Sequence, residues 1–107
     1  MAESYSIVLT TTGSEAKARE IAAAALEARL AACVQSWPIS SRYVWRGELR
    51  EEPEILLQFK IASHDYEALL ALIRGLHDYE VPEILRVAVA DGDRAYLAWV
   101  SEATRKA

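Results

Sequence analysis

Hydrophobic and polar positions alternate along two stretches of the chain, with the two-residue period that is typical of β-strands. Residues 5–11 form the first stretch and residues 54–61 form the second. In the first, one face carries Tyr5, Ile7 and Leu9 and the other carries Ser6, Val8 and Thr10. In the second, the apolar face carries Ile55, Leu57, Phe59 and Ile61. We expect strands one and three of a sheet here, the latter with one core face and one half-polar face.

A helical pattern follows each of these strands. Ser14 can cap a first helix, rich in alanine, that we expect to run to about Ala32. Ser63 or Asp65 can cap a second helix, whose apolar stripe consists of Tyr66, Leu69, Leu70, Ile73 and Leu76. The turn at residues 91–93 leads into a third, short helix.

The remaining segments complete one recognisable order of elements. Residues 34–46 and 84–89 are expected to form strands two and four, with Pro38 interrupting strand two or lying at an edge. Gly47 and the charged residues through Pro53 are expected to turn the chain. This order predicts an α+β fold, a ferredoxin-like βαββαβ sandwich with an additional C-terminal helix. The sheet would be antiparallel, with helices on one face.

The long β2/β3 hairpin is the unusual part of this arrangement. If residues 34–46 were continuous, they would span about 43 Å at roughly 3.3 Å per residue. A compact chain of this length has a radius of gyration of only about 13 Å. The hairpin must therefore protrude or bend. Because its first arm carries Trp37, Tyr43, Val44 and Trp45, we expect a symmetric oligomer in which neighbouring copies bury it.

Composition limits the classes of function. The 107 residues are 52% hydrophobic and 26% charged, which is typical of one folded domain, so we assign residues 1–107 to a single domain. A net charge of -4 argues against nucleic-acid binding. The apolar runs are far shorter than the roughly 18 residues of a membrane span. Cys33, the sole cysteine, cannot form a disulfide within the chain, which fits a reducing, cytoplasmic location.

Several groups of residues, spread over nearly the whole chain, form a specific combination. They are Ile7-Val8-Leu9-Thr10-Thr11, Leu30-Ala31-Ala32-Cys33-Val34, Tyr43 with Trp45 and Gly47, Leu76-His77, Tyr79-Glu80-Val81-Pro82-Glu83-Ile84, and Tyr96-Leu97 with Trp99. This combination resembles the CutA family of divalent-cation tolerance proteins. The resemblance implies a homotrimer of ferredoxin-like subunits, PII-like in plan, and a link to tolerance of copper and other divalent metals.

Three positions depart from the family pattern. Most relatives have proline where this chain has Asp78, so the turn after helix two lacks proline's fixed φ. Members of the family tied to copper ligation carry a cysteine late in strand one and a second histidine before the first. Here Thr10 and Leu76 hold those places, and only His77 remains. The resemblance therefore gives weak support to a high-affinity copper site.

Candidate metal ligands are few. His77, with Glu80 and the adjacent Asp78, offers an imidazole and carboxylates that suit a divalent ion. Cys33 offers a thiolate, which Cu(I) prefers. The alternatives are that His77 caps the last carbonyls of helix two and that Cys33 packs among apolar neighbours. No cofactor is required, and copper or another divalent cation would bind weakly.

A second candidate site lies on the half-polar face of strand three. Glu54 and Lys60 are six residues apart and point the same way. In an oligomer this face would line a cleft between subunits, where Lys60 meets a small anionic ligand and Trp45 or Tyr79 stacks on it. The alternative is a solvated or salt-bridged pair.

Two functions follow. The first is a trimeric divalent-cation tolerance protein that binds copper or other divalent metal ions weakly and takes part in the response to metal ions. The second is a PII-like small-ligand sensor or signalling protein with sites in the clefts between subunits. A scaffold that presents loops to another protein also stays open. No enzyme is expected, because the loop after strand one lacks the arginine of the similarly folded acylphosphatases and no nucleophile has a base.

Overall fold

A computed structural model of the chain describes residues 4–106. The elements are β1 (Tyr5–Thr12), α1 (Glu15–Glu27), β2 (Cys33–Trp45), β3 (Glu48–Ala62), α2 (Tyr66–Leu76), β4 (Ile84–Ala88) and α3 (Arg94–Ala103), with a 3-10 turn (Ser63–Asp65) before α2. This order confirms the predicted α+β, ferredoxin-like arrangement with an added C-terminal helix. The assignment of residues 1–107 to one domain stays a prediction, and both of its ends lie outside the described residues.

The four strands form one antiparallel sheet in the order β2-β3-β1-β4. In β1, Ser6, Val8 and Thr10 are buried, while the residues between them are half-buried. The buried face of β1 joins the predicted apolar face of β3, where Leu57, Phe59 and Ile61 are fully enclosed. We call this the core face of the sheet, and the opposite face the open face.

Helices α1 and α2 cover the core face. Ile21 and Ala25 of α1 and Leu69 and Ile73 of α2 pack with Phe59 in one hydrophobic cluster. Each large side chain buried there contributes roughly 1.5 to 3 kcal/mol of transfer free energy. The small alanines of α1 let this helix lie close to the sheet.

The open face is only partly covered. Helix α3 reaches one end of it, where the hydroxyls of Tyr5 and Ser101 form a 2.5 Å hydrogen bond. Large apolar side chains on this side of the molecule stay exposed, and they include Trp37, Leu85, Val87 and Trp99. Within the described residues, much of the open face therefore stays uncovered in the single chain, and the expectation that all helices lie on one face fails for α3.

Helix α1 ends five residues before the predicted boundary at Ala32. Arg29 adopts a left-handed conformation with φ 58, and the amide of Leu30 bonds back to the carbonyl of Ala25. This turn ends the helix and places Leu30 and Ala31 in the interior. Within residues 4–106 no helix is long and apolar enough to cross a lipid bilayer.

The first turn of α2 corrects the predicted caps. Neither Ser63 nor Asp65 caps the helix with its side chain. The Ser63 hydroxyl instead bonds the hydroxyl of Ser6, and the Asp65 carboxylate accepts a bond from Lys106. By contrast, the predicted cap of α1 is confirmed, because the Ser14 hydroxyl accepts the amide of Lys17.

The β2–β3 hairpin protrudes, and the long axis of the molecule reaches 46 Å. Its pairing is continuous from Cys33 with Lys60 to Trp45 with Glu48, so the predicted interruption of strand two is wrong. Pro38 is tolerated because β2 is an edge strand.

The predicted turn through Pro53 is wrong as well. Residues 48–53 belong to β3, and the turn consists only of Arg46 (φ 50) and Gly47 (φ 79). Two successive residues with positive φ form the compact turn that matches the twist of a hairpin. The strands can therefore pair immediately on either side of it.

Candidate functional site

A cleft opens between the distal half of the hairpin and the loop that joins α2 to β4. Its volume is about 710 Å³, which lies in the range of small-ligand sites. One wall comes from residues within 41–46 and 50–54, the other from residues within 78–83, and Thr11 of β1 also lines it. Because Thr11 shares its face of β1 with Ile7 and Leu9, the cleft lies at one end of the open face.

The lining carries more negative than positive charge. It contains five carboxylates, Glu52, Glu54, Asp78, Glu80 and Glu83, and three arginines, Arg42, Arg46 and Arg50. Arg42 and Arg50 form ion pairs with Glu51 and Glu48, neither of which lines the cleft. The balance of charge therefore favours a positively charged ligand in the cleft of a single chain.

Glu54 is the one buried carboxylate among these five, with 9% of its surface exposed. The Tyr79 hydroxyl donates a 2.7 Å hydrogen bond to its Oε2. Burial, this hydrogen bond and the negative charges of Glu54 and Glu52 raise the pKa of Tyr79 well above its usual value of 10. Tyr79 is therefore a protonated hydrogen-bond donor at neutral pH.

Gly13 makes room for Tyr79. A Cβ atom at this glycine would lie 3.2 Å from the Tyr79 hydroxyl oxygen, closer than side chains ordinarily pack. The loop after β1 thus contributes to the site because Gly13 has no side chain that would crowd the Tyr79 hydroxyl.

A second tyrosine–carboxylate pair lies on the hairpin wall. The Tyr43 hydroxyl donates to Oε1 of Glu52, and this bond is the main cause that raises the pKa of Tyr43. Glu52 and Glu54 are two residues apart on one face of β3, roughly 7 Å along the strand. Two carboxylates, each held by a tyrosine, therefore line the hairpin side of the cleft.

His77 lies behind the cleft with its side chain fully buried. Its Nε2 is 2.7 Å from the carbonyl oxygen of Thr11, and its Nδ1 accepts the amide of Tyr79 at 3.1 Å. A carbonyl only accepts, so Nε2 carries a proton and donates this bond. Both ring nitrogens are thus engaged with the main chain. His77 does cap α2, but through its main-chain amide, which donates to the carbonyl of Ile73, while Lys17 Nζ and not the ring binds the Leu76 carbonyl.

Arg46 closes the outer end of the cleft. Its Nη2 lies 2.7 Å from Oε1 and 3.2 Å from Oε2 of Glu80. Its guanidinium carbon lies 5.3 Å from the ring centroid of Trp45, a distance typical of a cation–π contact. The pair links the hairpin turn to the loop after α2.

The structure brings together only some of the residues singled out in the sequence. Trp45, Glu54, Tyr79 and Glu80 all line the cleft. Lys60 does not: it lies six residues from Glu54 along β3, roughly 20 Å away, and its Nζ bonds Gln35 at 2.6 Å. The two side chains share a face, but the strand separates them.

The proposed metal ligands do not converge. Cys33 is half-buried opposite Lys60 in the β2–β3 ladder, His77 is enclosed beside Thr11, and Glu80 is paired with Arg46. In the part of the chain that the structure describes, no three histidine, cysteine or acidic side chains are grouped so that they could hold a metal ion. The set His77, Glu80 and Cys33 therefore does not fit a preformed metal centre in one chain.

Sequence reasoning missed three parts of the cleft. The role of Glu52 could have been found from the register, because a two-residue turn at 46–47 places it diagonally across from Tyr43. The contact of Arg46 with Glu80 has no local signal, since 34 residues separate them. The proximity of Gly13 to Tyr79 likewise depends on the tertiary fold.

Comparison with known proteins matches nearly the whole chain. The family model described as CutA1 divalent ion tolerance protein matches residues 6–103. A divalent-cation tolerance protein CutA from Thermus thermophilus is 46% identical over 99 residues, covering 92% of this chain and 96% of the relative. One from Yersinia pestis strain Pestoides F is 43% identical over 104 residues, covering 94% and 87%.

Solved structures agree with these matches. A divalent cation tolerance protein of Thermus thermophilus superposes with a TM-score of 0.91 at 44% identity, covering 94% of this chain and 99% of that one. A protein from Archaeoglobus fulgidus, described as the periplasmic divalent cation tolerance protein CutA, gives a TM-score of 0.92 at 28% identity, again covering 94% and 99%.

Proposed function

Because the chain belongs to the CutA1 divalent ion tolerance family, we propose that it acts in tolerance to divalent cations as a homotrimer that binds these ions weakly. The observation that carries the proposal is the excess of carboxylates over arginines in the cleft. Carboxylate oxygens bind hard divalent cations, usually with several waters retained when a site supplies only one or two of them.

The affinity is proposed to be weak for a geometric reason. A tight site needs several ligands held in place before the ion arrives. Glu54 and Glu52 already accept tyrosine hydroxyls, Glu80 is paired with Arg46, and the nitrogens of His77 are engaged. A cation therefore competes with these partners for the carboxylates. Copper finds no open ring nitrogen on His77, because both are bonded to the main chain.

The open face supports the homotrimer. Leu85 is 54% exposed, Val87 is 48% exposed and Trp99 is 46% exposed, so a large apolar area stays in water in the single chain. Patches of this kind are typical of interfaces. Since the cleft lies at one end of the open face, neighbouring copies that cover this face would border the cleft. Light scattering should give about three times 11.9 kDa, and a stable single chain would contradict the assembly.

A cytoplasmic location is part of the proposal. It is supported by the unpaired thiol of Cys33, which is half-buried and has no disulfide partner among the described residues. The relative from Archaeoglobus fulgidus is described as periplasmic, so the compartment needs a direct test. Cell fractionation with an antibody to the chain distinguishes the two locations.

A binding role, not a catalytic one, is proposed. The matched family and relatives are named for divalent-ion tolerance, and none of the names quoted above describes an enzymatic reaction. The alternative function, a PII-like small-ligand sensor, is favoured by the size of the cleft and by its aromatic side chains, Tyr43, Trp45 and Tyr79.

Calorimetric titration tests the cation proposal. Mn²⁺, Zn²⁺ and Cu²⁺ are titrated into the wild type and into a variant carrying Glu52→Gln, Asp78→Asn and Glu83→Gln. The matched control carries Glu20→Gln, Glu27→Gln and Glu67→Gln, which remove the same charge away from the cleft. We expect weak binding that falls at least threefold in the cleft variant and changes little in the control. Equal affinities in both variants would contradict the proposal.

Growth tests the biological part. Cells lacking the protein are exposed to rising copper and zinc and complemented with the wild type or the cleft variant. We expect the wild type to restore tolerance and the cleft variant to restore less. Full rescue by the cleft variant would show that tolerance does not depend on these carboxylates, and it would favour the sensor function, which uses the unchanged aromatic side chains of the cleft.

A further inference from the structure

One positive group lies where an external cation would bind. The Arg46 guanidinium contacts the face of Trp45 and both carboxylate oxygens of Glu80. An aromatic face and a carboxylate together form the usual recognition surface for an organic cation. The side chain of Arg46 therefore shows that this end of the cleft can hold a guanidinium group.

Arg46 differs from the two other arginines of the cleft. Arg42 and Arg50 are neutralised by Glu51 and Glu48 on the hairpin itself. Arg46 alone among the three bonds across the cleft to the opposite wall. Withdrawing it would leave Glu80 and its neighbouring carboxylates without that positive charge.

The hold on Arg46 is weak enough to be displaced. Its side chain is 70% exposed and that of Glu80 is 64% exposed, and exposed ion pairs contribute little net stability. Its backbone, with φ 50, lies in the left-handed region that an arginine rarely adopts. Rotating the side chain out of the cleft breaks no core contact, because Arg46 lies in the turn of the protruding hairpin.

The cleft is also larger than one guanidinium needs. At about 710 Å³ it extends from Trp45 and Glu80 to Glu54 and Tyr79. The carboxylates of Glu52 and Glu54 line this inner part, where they accept the hydroxyls of Tyr43 and Tyr79. A ligand with a cationic head at Trp45 and a short tail would use both parts of the space.

We propose that the cleft binds a small organic cation with a guanidinium head, which stacks on Trp45, pairs with Glu80 and displaces Arg46 from the position it occupies in the free protein. The planar fork of a guanidinium matches the two oxygens of a carboxylate better than a spherical ion does. This ligand class goes beyond divalent-cation tolerance and does not depend on it.

The test uses ethylguanidinium as probe and ethylurea, its uncharged analogue of similar shape, as control. Binding to the full chain is followed by NMR through the indole N–H of Trp45, which is assigned by its loss in Trp45→Phe. We expect ethylguanidinium to shift this signal saturably and ethylurea to leave it unchanged. Equal shifts from both probes would overturn the proposal.

Variants separate displacement from a general charge effect. Arg46→Ala should tighten ethylguanidinium binding about two- to fivefold, the range expected for removal of an exposed ion pair. Arg42→Ala removes the same charge but vacates no contact with Glu80, and we expect a much smaller change. Equal gains in both variants would overturn the displacement. Glu80→Gln should weaken binding about two- to fivefold, as expected for loss of an exposed ion pair, and wild-type affinity in that variant would overturn the role of Glu80.

The two proposals fail separately. Trp45→Leu should remove ethylguanidinium binding, read by calorimetry, and leave Mn²⁺ binding unchanged, because a hard cation needs the carboxylates and not the indole. If the wild type binds Mn²⁺ but not ethylguanidinium, this inference is rejected and the cation proposal stands. If it binds ethylguanidinium but not Mn²⁺, the cation proposal is rejected and this inference stands.

Discussion

The carbonyl oxygen of Thr11, near the end of β1, accepts a 2.7 Å hydrogen bond from Nε2 of His77, the residue directly after α2. The other ring nitrogen accepts the amide of Tyr79. His77 thereby ties the central strand of the sheet to the loop that forms one wall of the cleft. In the single chain this ring serves as a structural joint.

Replacing the joint should destabilise the fold without weakening cation binding. His77→Ala leaves a carbonyl and an amide without partners and creates a cavity, so we expect a loss of roughly 2 to 3 kcal/mol in the free energy of unfolding. Urea unfolding at one fixed protein concentration measures it. His64→Ala, at a side chain that is 66% exposed, serves as control and should change little. A His77→Ala variant that keeps its stability but loses copper binding would show that the ring is a ligand.

Tyr79→Phe should loosen the inner part of the cleft. It removes the hydroxyl that donates to Glu54 and leaves a largely buried carboxylate with one bond fewer. Hydrogen bonds to charged groups contribute roughly 1.5 to 3 kcal/mol, so we expect a loss toward the lower end of this range. Thermal unfolding checks it, with Glu54→Gln combined with Tyr79→Phe as the rescue. Additive losses in the double variant would contradict the coupling.

The free energy of unfolding should fall at high pH because Tyr79 loses its proton. The folded pKa of Tyr79 lies above its unfolded value of 10, so its contribution is fully present below pH 10 and is lost as the pH rises from there toward the folded pKa. Urea unfolding at pH values from 9 to 11 should show a decline that is less steep in Tyr79→Phe. Identical slopes in the two proteins would exclude this tyrosine as the cause.

Lys106 should matter more than an ordinary surface lysine. Its Nζ bonds Oδ1 of Asp65 at 3.0 Å and the carbonyls of Arg29 and Thr104. The Asp65 side chain is only 7% exposed, so Lys106→Met would leave a buried carboxylate without its lysine partner. We expect a loss of roughly 1 to 3 kcal/mol in urea unfolding. Asp65→Asn in the same protein should recover part of it, and no recovery would contradict the pairing.

A charge on the open face should prevent assembly. Val87 is half exposed on β4 and pairs with Ile7 in the ladder. Val87→Lys places an ammonium group in the proposed interface, where desolvation is costly. We expect the mass from light scattering to fall from about three times 11.9 kDa toward the value of one chain. Glu67→Lys, on the exposed side of α2, should leave the mass unchanged.

The fold could be predicted from local patterns because its core depends on them. Of the apolar positions of β3, Leu57, Phe59 and Ile61 are buried and Ile55 is half-buried, as the alternation indicates, and Ser14 caps α1 as its side chain allows. The predicted end of helix α1 was wrong because a single backbone torsion angle decides where that helix ends. Arg29 ends α1 by adopting a positive φ, and nothing in the sequence indicates this because arginine rarely adopts such a torsion.

The cleft was only partly predictable. Glu54 and Tyr79 were recognised, but their partners depend on how far the hairpin extends and on which loop faces it. Lys60 lies outside the cleft of the single chain, because sharing a face with Glu54 says nothing of the distance along a long strand. The resemblance to a metal-tolerance family indicated His77 as a ligand, whereas the hydrogen bonds of its ring depend on β1 lying beside the end of α2.

Pro38 has one more effect, which concerns the growth of aggregates. Strand β2 is the outer strand of the sheet and the longer of its two edges. An unbroken edge of this length would be a template on which further strands could add without end. Proline has no amide hydrogen to donate, so a strand that approached along β2 would meet a missing rung near its middle. One residue therefore makes fibre formation along this edge less favourable while leaving the native hairpin intact.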